Sequence, residues 1–156
     1  MNPPTVVCIS ANPALDRRLH LASLSLGEVN RARSVQALPG GKAAHVAMTA
    51  NALGARTIWL GFLGGSIGEQ CAGELRNLGI EVYPVHTRAP TRVNLELIED
   101  SGRITEVLEP GEPPDQCECE EMVRMCEEGL AAQWKGAAVV ISGSLPAGHR
   151  PSFTRP

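Results

Sequence analysis

The chain has 156 residues, 43% of them hydrophobic and 20% charged, with a net charge of −3. That length supports one domain with a real core, and the composition is that of a globular protein rather than a low-complexity chain. No apolar run reaches the length of a membrane span, and aromatics at 3% are too few to interleave the basic residues as in a nucleic-acid stripe, so neither a membrane nor a nucleic acid is an expected partner.

Met1 to Thr5 has no basic region ahead of an apolar stretch, so the expected location is cytoplasmic. The 5 cysteines then read as reduced thiols. Cys8 and Cys71 sit in apolar surroundings; Cys117, Cys119 and Cys126 fit no standard zinc spacing and have no nearby His. Charge is uneven: residues 96–128 hold 12 of the 17 acids and only 2 of the 14 basic residues, whereas residues 1–95 hold 9 basic residues against 5 acids. The first part is therefore the part suited to a small anion, and the acidic stretch reads as a solvated helix face.

Thr5 to Ser10 is a short continuous apolar run, as in a buried strand. Asn12-Pro13 signals a turn, which puts Asp16 at or just past the C-terminal end of that strand, the edge where open α/β sheets bind ligands. There Asp16 caps the turn, pairs with Arg17, or accepts hydrogen bonds from the hydroxyls of a sugar. Residues 20–24 and 30–35 alternate loosely around a turn at Leu26-Gly27-Glu28, which predicts two short strands in an inserted hairpin.

The chain is organised around Leu38 to Ala47. Pro39 breaks what precedes it, and Gly40 and Gly41 let a ligand approach the backbone closely. A helix over 42–53 follows, with Val46, Ala50 and Leu53 as its expected buried face and Gly54 as its C-terminal cap. The turn thus delivers backbone N–H groups and Lys42 to a helix N-terminus, a geometry that favours anionic or oxygen-rich ligands.

Next come a strand over 56–60, a glycine-rich loop from Gly61 to Gly68, a helix over 69–78 with Cys71, Leu75 and Leu78 inward, and a strand over 80–83. The loop fits neither a dinucleotide fingerprint nor a Walker A motif and reads chiefly as turn chemistry. Residues 91–98 alternate cleanly, with Val93, Leu95 and Leu97 on one face and Arg92, Asn94 and Glu96 on the other; residues 103–108 pair back across Asp100-Ser101-Gly102. Asp115 caps a helix to about Ala132, and Ala137 to Ile141 is a buried strand ending in the small-residue loop Ser142-Gly143-Ser144. Arg150 to Pro156 has no periodicity, and a doubly wound domain is expected to continue beyond it. The order predicts an α/β fold with a mainly parallel sheet and right-handed crossovers.

Seven segments in order, Asn12 to Asp16, Leu26 to Arg31, Pro39 to Lys42, Gly61 to Gly65, Thr91 to Asn94, Glu109 to Gly111 and Ser142 to Pro146, resemble the ribokinase-like (PfkB) carbohydrate kinases, in their 1-phosphofructokinase and tagatose-6-phosphate kinase branch. The resemblance covers residues 5 to 148 and implies a ribokinase-like, doubly wound sheet with helices on both faces and an inserted β-lid, contributed at about 17–37 and 87–109. It implies ATP-dependent phosphoryl transfer, with Mg²⁺, to a hydroxyl of a phosphorylated ketohexose. By the same analogy Asp16, Gly40 and Gly41 hold sugar hydroxyls, Lys42 and Arg92 face the substrate phosphate, and Asn94, Ser142 and Gly143 line the cleft. The lid excludes water and dimerises two copies.

Two departures stand out. The family's Gly-Gly-Lys-Gly-x-Asn-Val-Ala is here Gly-Gly-Lys-Ala-Ala-His-Val-Ala, so Ala43 replaces a glycine and His45 a sugar-binding Asn. Family members run to about twice this length, and their Gly-Ala-Gly-Asp turn, which carries the catalytic base, does not occur here. The chain corresponds to the N-terminal half of such a kinase and is expected to be inactive alone. The alternative is a non-catalytic sugar-phosphate-binding or dimerising module. An unrelated nucleotide-binding α/β domain is disfavoured, since no dinucleotide fingerprint follows the first strand.

Overall fold

A computed structural model describes residues 3–146 of the chain; the stretch from Arg150 lies outside them. Four apolar segments, β1 (Thr5–Ser10), β4 (Arg56–Leu63), β5 (Glu81–His86) and β8 (Ala138–Ile141), form a parallel sheet in the order β5-β4-β1-β8. Side chains alternate across it. Cys8 and Trp59 face a core built with α1 (Lys42–Ala52) and α2 (Gly65–Asn77). Val7, Ile58 and Leu60 face Met122 of α3 (Gln116–Ala131) and Trp134 on the other side. This is the expected three-layer arrangement with helices on both faces. Burial pushes the Cys8 thiol up to about 11 and Cys71 up to about 12, so neither ionises near neutrality.

The second sheet is less regular. Strands β2 (Ala14–Leu21), β3 (Ser34–Gly40), β6 (Arg92–Glu99) and β7 (Ile104–Leu108) order as β3-β2-β6-β7. β2 pairs antiparallel with β3 and parallel with β6, and β6 pairs antiparallel with β7. Leu15 carries this sheet into the first core, and the Cys71 thiol of α2 donates to Ala14 O at 3.5 Å.

Several expectations are corrected. Asp16 does not end the first strand: the turn at residues 11–13 is so short that the chain enters β2 at Ala14, making Asp16 a strand residue of the second sheet. The hairpin exists, but its strands are displaced outward from 20–24 and 30–35 to 14–21 and 34–40. Pro39 breaks nothing, because β3 is an edge strand whose outward N–H positions tolerate proline. Gly61 to Leu63 extend β4, and α2 starts at Gly65 rather than Glu69.

The fully buried face of α1 is Ala43, Ala44 and Ala47; of the expected face, Val46 packs at the margin of the core, Ala50 is partly covered, and Leu53 is 83% exposed. Small residues let the helix approach β1 and β4 closely, and periodicity alone cannot choose between two apolar faces. Leu78 is likewise half-exposed. β8 is mostly exposed rather than buried: it lies at a sheet edge, only Val140 is partly covered, and Ile141 is 77% exposed. The helix over 116–131 follows its local signals: Asp115 accepts from Glu118 N at 2.9 Å and Glu118 Oε2 accepts from Asp115 N at 2.8 Å, a capping box.

Candidate functional site

The polar residues gather where the second sheet meets the N-terminus of α1. Register places Asp16 of β2 opposite Asn94 of β6. The Asn94 amide donates to Asp16 Oδ1 at 2.8 Å, and both side chains belong to residues less than a tenth exposed. On the other side His45 Nε2 lies 3.4 Å from Asp16 Oδ2, with the imidazole half-exposed. Burial of the Asp16 carboxyl favours its neutral form, but the contacts with His45 and Asn94 and the charges of His45 and Arg18 outweigh it and hold its pKa below the usual value. The same contact with Asp16 raises the His45 pKa against a smaller opposing effect of burial.

Gly40 is required by close approach: a Cβ there would stand 2.2 Å from Asp16 Oδ1. Gly41 is required by conformation. As the residue preceding α1 it has φ 88°, and no side chain caps the helix there. The first-turn N–H groups of α1 therefore open toward the loops beside exposed Lys42. The segment after β8 comes to the same place: a Cβ at residue 143 would stand 4.0 Å from Lys42 Cβ, and Asn12 Nδ2 donates to Ser144 Oγ at 3.3 Å. Ser142 stays at the strand end, its N–H 3.5 Å from Ile9 O.

Arg92, expected to face a phosphate, also ties loops together. Its guanidinium donates to Asn12 O (3.2 Å), Pro13 O (3.3 Å), Glu109 O (2.8 Å) and Asn94 Oδ1 (3.3 Å). Three of its five donors tie the turn after β1 to the loop after β7 and a fourth goes to Asn94 of β6, which leaves one for a ligand. A cavity of about 30 Å³ behind it, bordered by Ala11, Asn12, Phe62, Thr91 and Gly111, is water-sized. The Gly64-Gly65 junction serves packing, with Gly64 N–H donating to Thr91 Oγ1 at 3.0 Å.

Residues that single-motif reading passed over are Asn12 and Glu109. The carboxylate of Glu109 accepts Val93 N–H at 2.7 Å while its carbonyl holds Arg92. Both lie within the segments Asn12 to Asp16 and Glu109 to Gly111. Their signal was a turn residue next to Pro13 and an acid ahead of Pro110. Arg18 and Glu96, paired at 2.7 Å, extend the polar face of the second sheet.

Among the described residues no three His, Cys, Asp or Glu side chains gather as a metal cluster, and no helix is long and apolar enough to cross a membrane. Phosphofructokinase-2 from Escherichia coli in complex with fructose-6-phosphate is similar over 96% of this chain and 48% of its own, with 26% identity and a TM-score of 0.81. A protein described as a possible 1-phosphofructokinase, from Thermotoga maritima, is 30% identical over 94% of this chain and 47% of its own, with a TM-score of 0.84. The chain spans about half the length of these solved relatives. Residues 6–152 match the family described as pfkB family carbohydrate kinase. The chain belongs to that carbohydrate kinase family.

Proposed function

We propose that this chain supplies the substrate-binding part of an ATP-dependent sugar-phosphate kinase, with a phosphorylated ketohexose as substrate. The observation that carries the reading is the buried Asp16 carboxylate, oriented by Asn94 and backed by Gly40. Two carboxylate oxygens keep further lone pairs after the contacts with Asn94 and His45, and vicinal hydroxyls suit them. Lys42, the uncapped N–H groups of α1 and the Gly143 loop supply the complementary features for an anionic group. The remaining Arg92 donor adds a contact for the same anion.

The second sheet serves as a lid over this cleft, and it excludes water that would compete with the sugar as phosphoryl acceptor. Val35, Ile104, Val107 and Leu108 leave apolar surface on its edge strands, which supports pairing of two copies through the lid.

ATP supplies the transferred phosphoryl group and Mg²⁺ its charge neutralisation in such a reaction. The described residues do not make up a Mg²⁺ site: Asp16 is engaged by Asn94 and His45, and the remaining acids gather in no metal cluster. What this chain's residues do is bind and orient the sugar. The second reading is a non-catalytic sugar-phosphate-binding or dimerising module, supported by the same Asp16 site and the apolar edges of the second sheet. The test is calorimetric titration with fructose 6-phosphate, fructose 1-phosphate and tagatose 6-phosphate, repeated with Asp16→Ala. Binding that survives the substitution refutes the site. Turnover with ATP separates the kinase from the binding module.

A further inference from the structure

The Asp16 carboxylate is enclosed on three sides. Asn94 covers Oδ1, the Gly40 backbone lies so close that a Cβ would overlap the whole carboxyl group, and the β2 strand carries its own backbone beneath. The Asp16 side chain is only 6% exposed, whereas the His45 side chain against Oδ2 is 48% exposed. Of the carboxylate's three neighbours Asn94, Gly40 and His45, the imidazole is thus the one that reaches solvent.

We propose that His45 gates the Asp16 site: a hydroxyl-bearing ligand takes the place of the imidazole on Oδ2, and the displaced ring gives up its proton to solvent. The inference rests on the sugar-binding reading of Asp16 and adds to it a residue that sets when and how tightly that site binds.

The charged surroundings fix the direction of the effect. On β2 the neighbours are Asp16 and Arg18; on β6 they are Glu96, which pairs with Arg18, and Arg92, which is spent on carbonyl groups; on α1 itself there is Lys42. Cys71 of α2 is buried with a raised pKa and stays neutral. The partner that favours the charged ring most is thus the Asp16 carboxylate. A ligand that separates the pair returns His45 toward its ordinary value, so binding and deprotonation are linked. Affinity must rise with pH between the ordinary imidazole value and the raised one. An Asn, which carries no titrating group, has no such dependence.

The experiment measures fructose 6-phosphate binding to the full chain by calorimetry between pH 5.5 and 8.5, for the wild type, His45→Asn and His45→Gln. The ligand phosphate also titrates near pH 6, and comparison with the variants cancels that contribution. Expected are several-fold tighter binding by the variants at pH 5.5, convergence with wild type at pH 8.5, and a His45 ring resonance whose NMR titration moves to lower pH when ligand saturates the site. Binding with the same pH profile in wild type and variants overturns the gate alone. Weaker binding by both variants overturns it too, since the ring is then a ligand contact. A His45 titration unmoved by bound ligand overturns it independently of how the variants fold. Failure of all three proteins to bind at any pH overturns the sugar-site reading, and the gate with it.

Discussion

Gly40→Ala tests whether the site is built by close packing of β3 on the Asp16 carboxylate. Asp16 pairs across the sheet with Leu38, which makes Gly40 its diagonal neighbour on the same face. A Cβ at residue 40 would lie 2.2 Å from Oδ1, 2.3 Å from Cγ and 2.6 Å from Oδ2, against an ordinary contact of 3.4 Å or more. The overlap of at least 1.2 Å cannot be absorbed at the tip of a flexible chain, because Asn94 holds Oδ1 at 2.8 Å. Either the carboxylate swings off Asn94, leaving buried groups unsatisfied at about 1–3 kcal/mol, or β3 backs away at an overpacking cost of about 1–3 kcal/mol. Either is a large part of a typical total of about 5–15 kcal/mol.

The assay is urea unfolding followed by fluorescence of Trp59 and Trp134, each 1% exposed. Gly40→Ala is measured in the wild type and in Asp16→Ala, and the double-mutant cycle is closed. If the clash is with the carboxylate, the cost of Gly40→Ala falls by about 1 kcal/mol or more once the carboxylate is gone. Gly41→Ala is the control. Its Cβ meets nothing nearer than 3.5 Å, so its cost is the strain of φ 88° with ψ 149°, a nearly glycine-only region, about 1–3 kcal/mol, and is not relieved by Asp16→Ala. Equal costs of Gly40→Ala in both backgrounds refute the packing argument.

Stability is expected to peak at mildly acidic pH. Asp16, with its pKa lowered from 3.8, stabilises above that value and loses its contribution as pH falls through the folded pKa; His45, raised from 6.5, stabilises below that value and loses its contribution as pH rises through the folded pKa. His45→Ala flattens the alkaline limb, measured by urea midpoints from pH 3 to 9. Arg92→Ala lowers the melting temperature before any ligand is added, because it releases the carbonyls of Asn12, Pro13 and Glu109, and Arg92→Lys does not restore it. An unchanged melting temperature means the tie is idle. Asp115→Ala costs about 0.5–2 kcal/mol and frays α3, read as lost far-UV ellipticity, since it removes the cap on Glu118 N. The chain alone shows no sugar-dependent ATP consumption, since its Asp16, oriented by Asn94, holds sugar hydroxyls rather than taking a proton; turnover that vanishes with Asp16→Ala overturns this.

Much of the first sheet was legible because its signals are local. The apolar runs of β1 and β4 and the Asp115 cap of α3 each depend on residues within one turn or one strand. In the second sheet the β6–β7 hairpin was legible too, but the sheet as a whole was not, because its central pair joins β2 to β6 across almost 80 residues of chain (Asp16 to Asn94 differ by 78). Pro39 was misleading for the same reason: whether a proline ends a strand or sits in one depends on whether the strand is an edge, and that is a tertiary fact. At Arg92 the residue type was visible in the sequence, whereas its partners in the turn after β1 and the loop after β7 were not.

A usable signal nevertheless ran through β2. Leu15, Leu19 and Leu21 share one face, and Asp16, Arg18 and His20 the other, which is the same alternation that made β6 readable. Laid side by side in the observed register, the polar faces match: Asp16 meets Asn94 and Arg18 meets Glu96. Each strand alone offers buried polar groups that need partners, and this register satisfies both. A slip by one residue would set Asp16 against Val93 or Leu95, leaving a carboxylate unsatisfied in the core. The groups proposed to bind the sugar are thus the groups that hold the second sheet in register. The hydroxyl-binding half of the site is intrinsic to that sheet, whereas Lys42 and Gly143 reach it from the connections of the first. Substitutions at Asp16 or Asn94 must therefore disturb folding and binding together, while Lys42, exposed at the start of α1, is the position at which binding alone can be changed.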